Sequence, residues 1–287
     1  MTPQPHIGFA GMGRMGQPMA RRILAAGFPL AVTDVRAEAC APIVAAGATA
    51  VPTAAAVAER AAIVITCVPG PKEVEAVYFA SDGILSTIAP GTIVLEMSTI
   101  DVALSRRVGA ACAERACRYL DAPISGGVAG AVAGTLAVMV GGDAAALDDA
   151  RALLESMAER VMHVGPTGAG HFTKLINQVM YLGYIALFCE ATAAADAYGI
   201  TRSDMVDVLR HSVGGAPLST HWEERLLTGD PAPGFEIARV LKDLRLGAQA
   251  YADLPYDAPI FAAALAAYES AAANGHAGDD VTAVLQR

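Results

Sequence analysis

Two kinds of hydrophobic pattern follow one another along the chain. Up to Val164, short apolar runs alternate with stretches of helical period. Strands are expected at His6–Ala10, Leu30–Thr33, near Ala48, Ile63–Val68, Thr92–Met97, Arg118–Asp121, Leu136–Val140 and Val161–Val164. Helices are expected at Pro18–Ala26, Glu38–Ala46, from about Thr53, at Lys72–Phe79, from Ile100 to about Ala116, and at Ala144–Met157. Such alternation implies parallel strands joined by helical crossovers, hence an α/β domain over residues 1–165. From Pro166 the strand pattern stops, and helices are expected at His171–Tyr198, Ser203–His211, His221–Leu227, Ile237–Ala252 and Pro259–Asn274. Residues 166–287 therefore read as an all-α domain, joined to the first by a long interdomain helix. That arrangement implies two walls with a cleft between them.

The joining helix is the most unusual stretch. From His171 to Tyr198 it has no Pro and a single interior Gly, Gly183, and it would be roughly 40 Å long at about 1.5 Å per residue. Lys174 is its only cation before Asp196. Lys174, Asn177 and Gln178 stand at i, i+3 and i+4, so they share one face and form a polar patch on an apolar rod near the expected cleft. Read without its neighbours, Lys174 snorkels from the first turn into solvent. What precedes it in the chain favours chemistry.

The first strand runs into Gly11-Met12-Gly13-Arg14-Met15-Gly16 and then a helix, which is GxGxxG in strand, turn, helix context. Glycines permit the tight turn and a close backbone approach, while the helix N-terminus offers amides and positive dipole to a pyrophosphate. The second strand ends at Asp34, 23 residues after Gly11, where a carboxylate can bond the adenosine ribose hydroxyls. Together these identify a Rossmann-type dinucleotide-binding domain. Two later strands stop at Val68-Pro69-Gly70 and at Ser98-Thr99, at the carboxyl edge where such sheets bind ligands. Thr99 suits either the nicotinamide half or the N-cap of the helix beginning at Ile100. The loop Ala122-Pro123-Ile124-Ser125-Gly126-Gly127 presents a hydroxyl and amides to an anion, or makes an ordinary turn.

Composition narrows the classes. With 54% hydrophobic and 17% charged residues in 287, the chain is globular with ample core. No apolar run reaches the length of a membrane span, and the N-terminus lacks a secretory pattern, so the expected compartment is the cytoplasm. A net charge of −9 without a basic cluster argues against nucleic acid and membrane partners. Five cysteines without a CxxC spacing, and six histidines without a metal-binding pair, give no reason to expect disulfides or a metal.

Five stretches in order carry a family resemblance: GFAGMGRMGQPMA (8–20), EMST (96–99), DAPISGG (121–127) with GTL (134–136), GAGHFTKLINQ (168–178) and GFEIARVLKDLRL (234–246). Through them, nearly the whole chain resembles the β-hydroxyacid dehydrogenase family, which includes 3-hydroxyisobutyrate dehydrogenase and tartronate semialdehyde reductase. The resemblance implies an NAD(P)-dependent oxidoreductase that interconverts a small 3-hydroxy acid and its semialdehyde. It implies Lys174 as the catalytic lysine, Ser125, Gly126 and Gly127 as the substrate carboxylate loop, and Thr99 and Lys242 as cofactor contacts near the nicotinamide. Asn177 and Gln178 would complete the substrate site, although many members carry Asn where this chain has Gln178. Seven residues after the lysine, where 6-phosphogluconate dehydrogenase has a glutamate, stands Tyr181, so that reaction is not expected.

In this reading the nicotinamide takes a hydride while Lys174 takes the hydroxyl proton. A lysine pKa lowered by burial and by a second cation, Lys242, would suit it to the task. Asp34 favours NAD over NADP, with Arg36 as the residue that leaves NADP open. Alternatives are an imine reductase of the same architecture, which generally lacks the lysine, and a non-catalytic dinucleotide-binding module. The partner is a small carboxylate substrate. The apolar, Ala-rich helices predict a homodimer or homotetramer. The segment Ser212–Ser219 with Trp222 is expected to help line the pocket.

Overall fold

The computed structural model describes residues 4–212, 228, 234–252 and 259–286. The expected helix at 221–227, Trp222 and residues 213–219 lie outside the described residues. The chain divides into two compact units, Met1–Lys174 and Leu175–Arg287. The first holds β1 (Ile7–Ala10), α1 (Gly16–Ala25), β2 (Leu30–Thr33), α2 (Ala41–Val44), β3 (Thr49–Ala50), α3 (Ala54–Ala58), β4 (Ile63–Thr66), α4 (Pro71–Phe79), β5 (Ile93–Glu96) and α5 (Val102–Ala113). It continues with β6 (Arg118–Asp121), β7 (Ile124–Ser125), α6 (Gly127–Ala133), β8 (Leu136–Gly142), α7 (Ala144–Glu155) and β9 (Ala158–Gly165). Helix α8 (Ala169–Tyr198) starts in the first unit and runs on into the second.

The strands form one sheet in the order β3-β2-β1-β4-β5-β6-β8-β7, with β9 paired to β8. Strands β1 to β6 pair in parallel, so this is the doubly wound order with its switch between β1 and β4, the point at which dinucleotides bind. The near-continuous apolar sequence of β1, β4 and β5 is explained by burial on both faces, whereas the short edge strand β3 is exposed. Ile7, Phe9, Val32, Ile65, Leu95 and Leu120 face one layer of helices, and Val64, Val94 and Tyr119 pack with Val57, Tyr78 and Val108 on the other. Gly8 lets α3 lie directly on β1, because a Cβ there would stand 2.5 Å from the Val57 carbonyl oxygen.

Departures from the sequence expectation cluster after β6. Strand β8 turns antiparallel against β6 and β7, and β9 starts at Ala158 rather than Val161, with the polar Glu159 and Arg160 following its first residue. Residues 127–133, to which the sequence pattern assigned no helix, form helix α6. Helix α5 is capped by Asp101, whose side chain accepts the Leu104 amide hydrogen bond at 2.8 Å, so the alternative of Thr99 as N-cap is corrected.

In the second unit α8 is joined by α9 (Arg202–Arg210), α10 (Ile237–Ala252) and α11 (Pro259–Ala271). Ile237, Val240, Leu241 and Leu244 recur at helical spacing on α10 and pack with Leu182, Ile185, Phe188, Val206 and Tyr268. The buried Asp280 accepts the Gly234 amide at 2.9 Å and the Thr282 hydroxyl at 2.8 Å, fixing the chain where it enters α10. No helix among the described residues is long and apolar enough to cross a membrane.

Candidate active site

The glycine turn after β1 separates three roles by space alone. At Gly11, φ is 107° and a Cβ would lie 2.2 Å from the Cys67 carbonyl oxygen. At Gly16 a Cβ would lie 1.8 Å from the Gly11 carbonyl oxygen. Both are filled by the protein itself. At Gly13 a Cβ would meet nothing within 4 Å, so this glycine opens onto space. Helix α1 then begins with no side-chain cap at Met15 and no acid in its first turn, leaving its positive end available to an anion. Arg14 is exposed beside it, and Met12 is buried.

Asp34, at the end of β2, reaches back to this turn. Its Oδ2 accepts the Met12 amide at 2.7 Å and its Oδ1 accepts the Arg36 amide at 2.9 Å, with the exposed Arg36 guanidinium 3.7 Å away. A carboxylate has lone pairs beyond these two contacts, so the same group remains able to accept ribose hydroxyls. The residues present fit a dinucleotide.

Across the carboxyl edge the parallel register aligns Ala10, Thr66, Glu96 and Asp121 in one row, and Gly141 of β8 pairs with Asp121. The last residue of β4, β5 and β6 is thus polar, directly after buried apolar or aromatic residues. Glu96 is fully buried, its Oε2 accepting from the Thr66 hydroxyl and its Oε1 from the Ser98 amide at 2.8 Å. Because Thr66 spends its proton on Glu96, the Tyr78 hydroxyl donates to Thr66 at 2.9 Å. Burial pushes the Glu96 carboxyl above its ordinary range, opposed by these hydrogen bonds. Ser98 Oγ accepts the Val68 amide at 2.9 Å, so Glu96 braces both loops expected at the ligand-binding edge. Pro69 lies exposed on one loop, and Thr99 half-buried on the other.

Asp121 organises the start of α8. Its Oδ1 accepts the Gly168 amide and its Oδ2 the His171 amide, each at 2.8 Å. Burial raises this carboxyl too, again opposed by the amides. Gly170 is required by the approach, since a Cβ there would stand 2.4 Å from the Met139 carbonyl oxygen and 2.5 Å from that of Asp121. His171 is fully buried, with Nε2 3.0 Å from the Ser98 carbonyl oxygen and Nδ1 2.9 Å from Ser105 Oγ. A carbonyl only accepts, so Nε2 carries the proton, Nδ1 accepts from Ser105, and Ser105 accepts from Tyr119 at 3.1 Å. Burial lowers the His171 pKa to about 3. The ring is therefore neutral, and its 3.8 Å approach to Asp121 is not an ion pair. Lys174 follows one turn later, buried.

Ser125 ends β7 half-buried, and Gly126 and Gly127, both exposed and both at positive φ, lead into α6, whose first turn has no side-chain cap. In the second unit Asn177 is half-buried, while Gln178 Nε2 donates to Asp243 Oδ2 at 2.7 Å. Lys242 Nζ lies 2.7 Å from Asp243 Oδ1, close enough for an ion pair although outside hydrogen-bonding geometry. Gln178 is thus committed to a buried carboxylate, and Lys242 has a counter-ion that the sequence reading did not foresee. That reading also assigned no role to Glu96, Asp121, His171 or Asp243. For Glu96 and Asp121 the available signal was an acid closing a strand directly after apolar residues, in IVLE and RYLD.

Known proteins resemble the chain along its whole length. The family model described as the NAD-binding domain of 6-phosphogluconate dehydrogenase matches residues 6–165. That described as the NAD-binding region of NADP-dependent 3-hydroxyisobutyrate dehydrogenase matches residues 168–287. An NAD-dependent L-serine dehydrogenase of Pseudomonas aeruginosa is 39% identical over 285 residues, covering 97% of this chain and 96% of that protein. The crystal structure of a 3-hydroxyisobutyrate dehydrogenase from Salmonella typhimurium superposes with a TM-score of 0.89 at 32% identity, covering 99% of both chains. A Mycobacterium tuberculosis 3-hydroxyisobutyrate dehydrogenase structure with L-serine gives 0.87 at 32% identity, covering 99% of this chain and 98% of that one. With matches of this extent on top of an intact glycine turn and lysine helix, the chain belongs to the β-hydroxyacid dehydrogenase family.

Proposed function

We propose that this protein is an NAD-dependent dehydrogenase interconverting a small, unphosphorylated 3-hydroxy acid and its semialdehyde. The observation that carries the reading is the glycine turn, closed at Gly11 and Gly16, open at Gly13, and followed by an uncapped helix end. Bound NAD supplies the hydride acceptor, nicotinamide C4. The backbone from Gly11 to Gly16 receives the pyrophosphate, and Asp34 receives the ribose hydroxyls and repels a 2′-phosphate. Val68, Pro69 and Thr99 border the nicotinamide half, with Lys242 as a further cofactor contact assigned by the family motif.

On the substrate, the Ser125 hydroxyl and the amides of Gly126 and Gly127 hold the carboxylate, and Asn177 orients the carbinol. Lys174 accepts the hydroxyl proton in oxidation and returns it in reduction. Gln178 acts at one remove, through Asp243. Two relatives support the substrate class, since L-serine is itself a 3-hydroxy acid with an amino group on carbon 2. A cytoplasmic homo-oligomer is part of the same reading, motivated by the apolar length of α8 and the exposed Met180 on it.

The test is nicotinamide absorbance over a panel of small hydroxy acids and semialdehydes with NAD and NADP. Lys174→Ala is expected to lose about 10²- to 10⁴-fold in turnover with unchanged NAD affinity. Near-normal turnover in that variant, or a phosphorylated acid proving the best substrate, overturns the reading.

A further inference from the structure

The polar groups along the carboxyl edge form one connected chain. Tyr78 donates to Thr66, Thr66 to Glu96, and the Ser98 amide to Glu96; the Ser98 carbonyl accepts from His171, which accepts from Ser105, which accepts from Tyr119. His171 is the member that joins two assemblies. On one side is the loop from Ser98 to Thr99, which also receives the Val68 amide. On the other is the first turn of α8, pinned by its own amide to Asp121 and carrying Lys174 three residues on.

We propose that His171 is a positioning residue for hydride transfer, holding the turn that bears Lys174 at a fixed distance from the Ser98–Thr99 loop. The inference rests on the acid/base reading of Lys174. A neutral ring suits the task because its two nitrogens act in opposite senses, one donating to a carbonyl and one accepting from a hydroxyl, so the imidazole plane is fixed from both sides. Neither contact needs substrate or cofactor to form. A proton donor displaced by about 1 Å from its acceptor can cost about 100-fold in rate while leaving binding nearly intact.

The experiment compares His171→Ala, His171→Gln and Lys174→Ala in the full chain, with turnover referred to the fraction that binds NAD. His171→Ala is expected to lower kcat by about 10- to 100-fold with KM for NAD and for the acid within about threefold. Gln carries an N–H able to reach the Ser98 carbonyl, so His171→Gln is expected to recover most of the loss. An unchanged kcat in His171→Ala, a loss confined to KM, or no recovery in His171→Gln overturns the inference. If His171→Ala does not fold, Ser105→Ala removes the hydroxyl that orients the ring and is read by the same split: a fall in kcat alone supports the role, and no fall overturns it. Near-normal turnover in Lys174→Ala overturns the acid/base reading and this inference with it. Loss in Lys174→Ala beside an unaffected His171→Ala overturns this inference alone.

Discussion

Helices α1 and α8 both begin at the carboxyl edge of the sheet after glycine-containing turns, and their first turns are treated in opposite ways. At α1 no side chain caps the end and no acid sits in the first turn. At α8 the carboxylate of Asp121 takes two amides, Gly168 and His171, in a fully buried setting. The positive end of a helix attracts an anion in either case. Where the chain supplies that anion itself the helix becomes a fixed support. Where it withholds it, the proposed occupant is the diphosphate of the dinucleotide. Binding and bracing are the same interaction, differing in who provides the negative charge.

The largest expected effect concerns the braced end in acid. The folded protein keeps His171 neutral down to about pH 3, whereas the unfolded chain takes a proton near the ordinary value of 6.5. The unfolded state therefore binds more protons, so this contribution is fully present above pH 6.5 and is lost as pH falls towards 3, by up to about 5 kcal/mol. Asp121 works in the opposite sense: with a carboxyl raised by burial, its contribution grows as pH falls. Denaturant unfolding at several pH values should show a steeper acid loss in the wild type than in His171→Gln. Parallel curves would show that the ring does not carry the slope.

Next in size is the carboxylate itself. Asp121→Ala leaves the two amides at the start of α8 without their buried acceptor, at about 1–3 kcal/mol each, and thermal or chemical unfolding should register the loss. No matching loss is expected at α1, where the anion belongs to the ligand, and the smallest prediction makes that contrast. Gly16→Ala forces a methyl against the Gly11 carbonyl and should destabilise the fold, while Gly13→Ala should leave Tm unchanged and weaken NAD by about tenfold, roughly 1.4 kcal/mol. A Gly13→Ala protein that melts early with full NAD affinity would reverse the assignment of the two glycines.

The open end was legible in the sequence and the braced end was not, for a physical reason. Gly11, Gly13, Gly16 and Asp34 signal through local spacing, because backbone conformation and close approach are properties of a short segment. Asp121 and His171 acquire their roles from partners far along the chain, such as Gly168 for Asp121 and Ser98 for His171. Within its own segment His171 is only a histidine opening an apolar helix. Strands β1, β4 and β5 were readable because burial on both faces makes each an almost continuous apolar run. Helix α6 was not, because Gly127–Ala133 contains only Gly, Ala and Val and carries no polar face to set a period. Lys174, Asn177 and Gln178 lie on one helix, α8, as their spacing implied, but periodicity gives no sign that Gln178 bonds a carboxylate on α10.

The switch in strand order also bears on how the chain folds. Ile7 pairs with Leu30 on one side and Ile63 on the other, so β1 lies inside the sheet but gains its second neighbour only after β2 and β3 have been passed. Until β4 docks, Ile7 and Phe9 lack part of their cover, and one edge of β1 presents unpaired amides and carbonyls. Closing that longer loop costs somewhat more entropy than the β1–β2 closure, by about 0.6 kcal/mol for each doubling of loop length. The β1–β4 pair is therefore what joins the β3-β2-β1 strands to the rest of the sheet, and the crevice at the switch point exists only where that pairing is made.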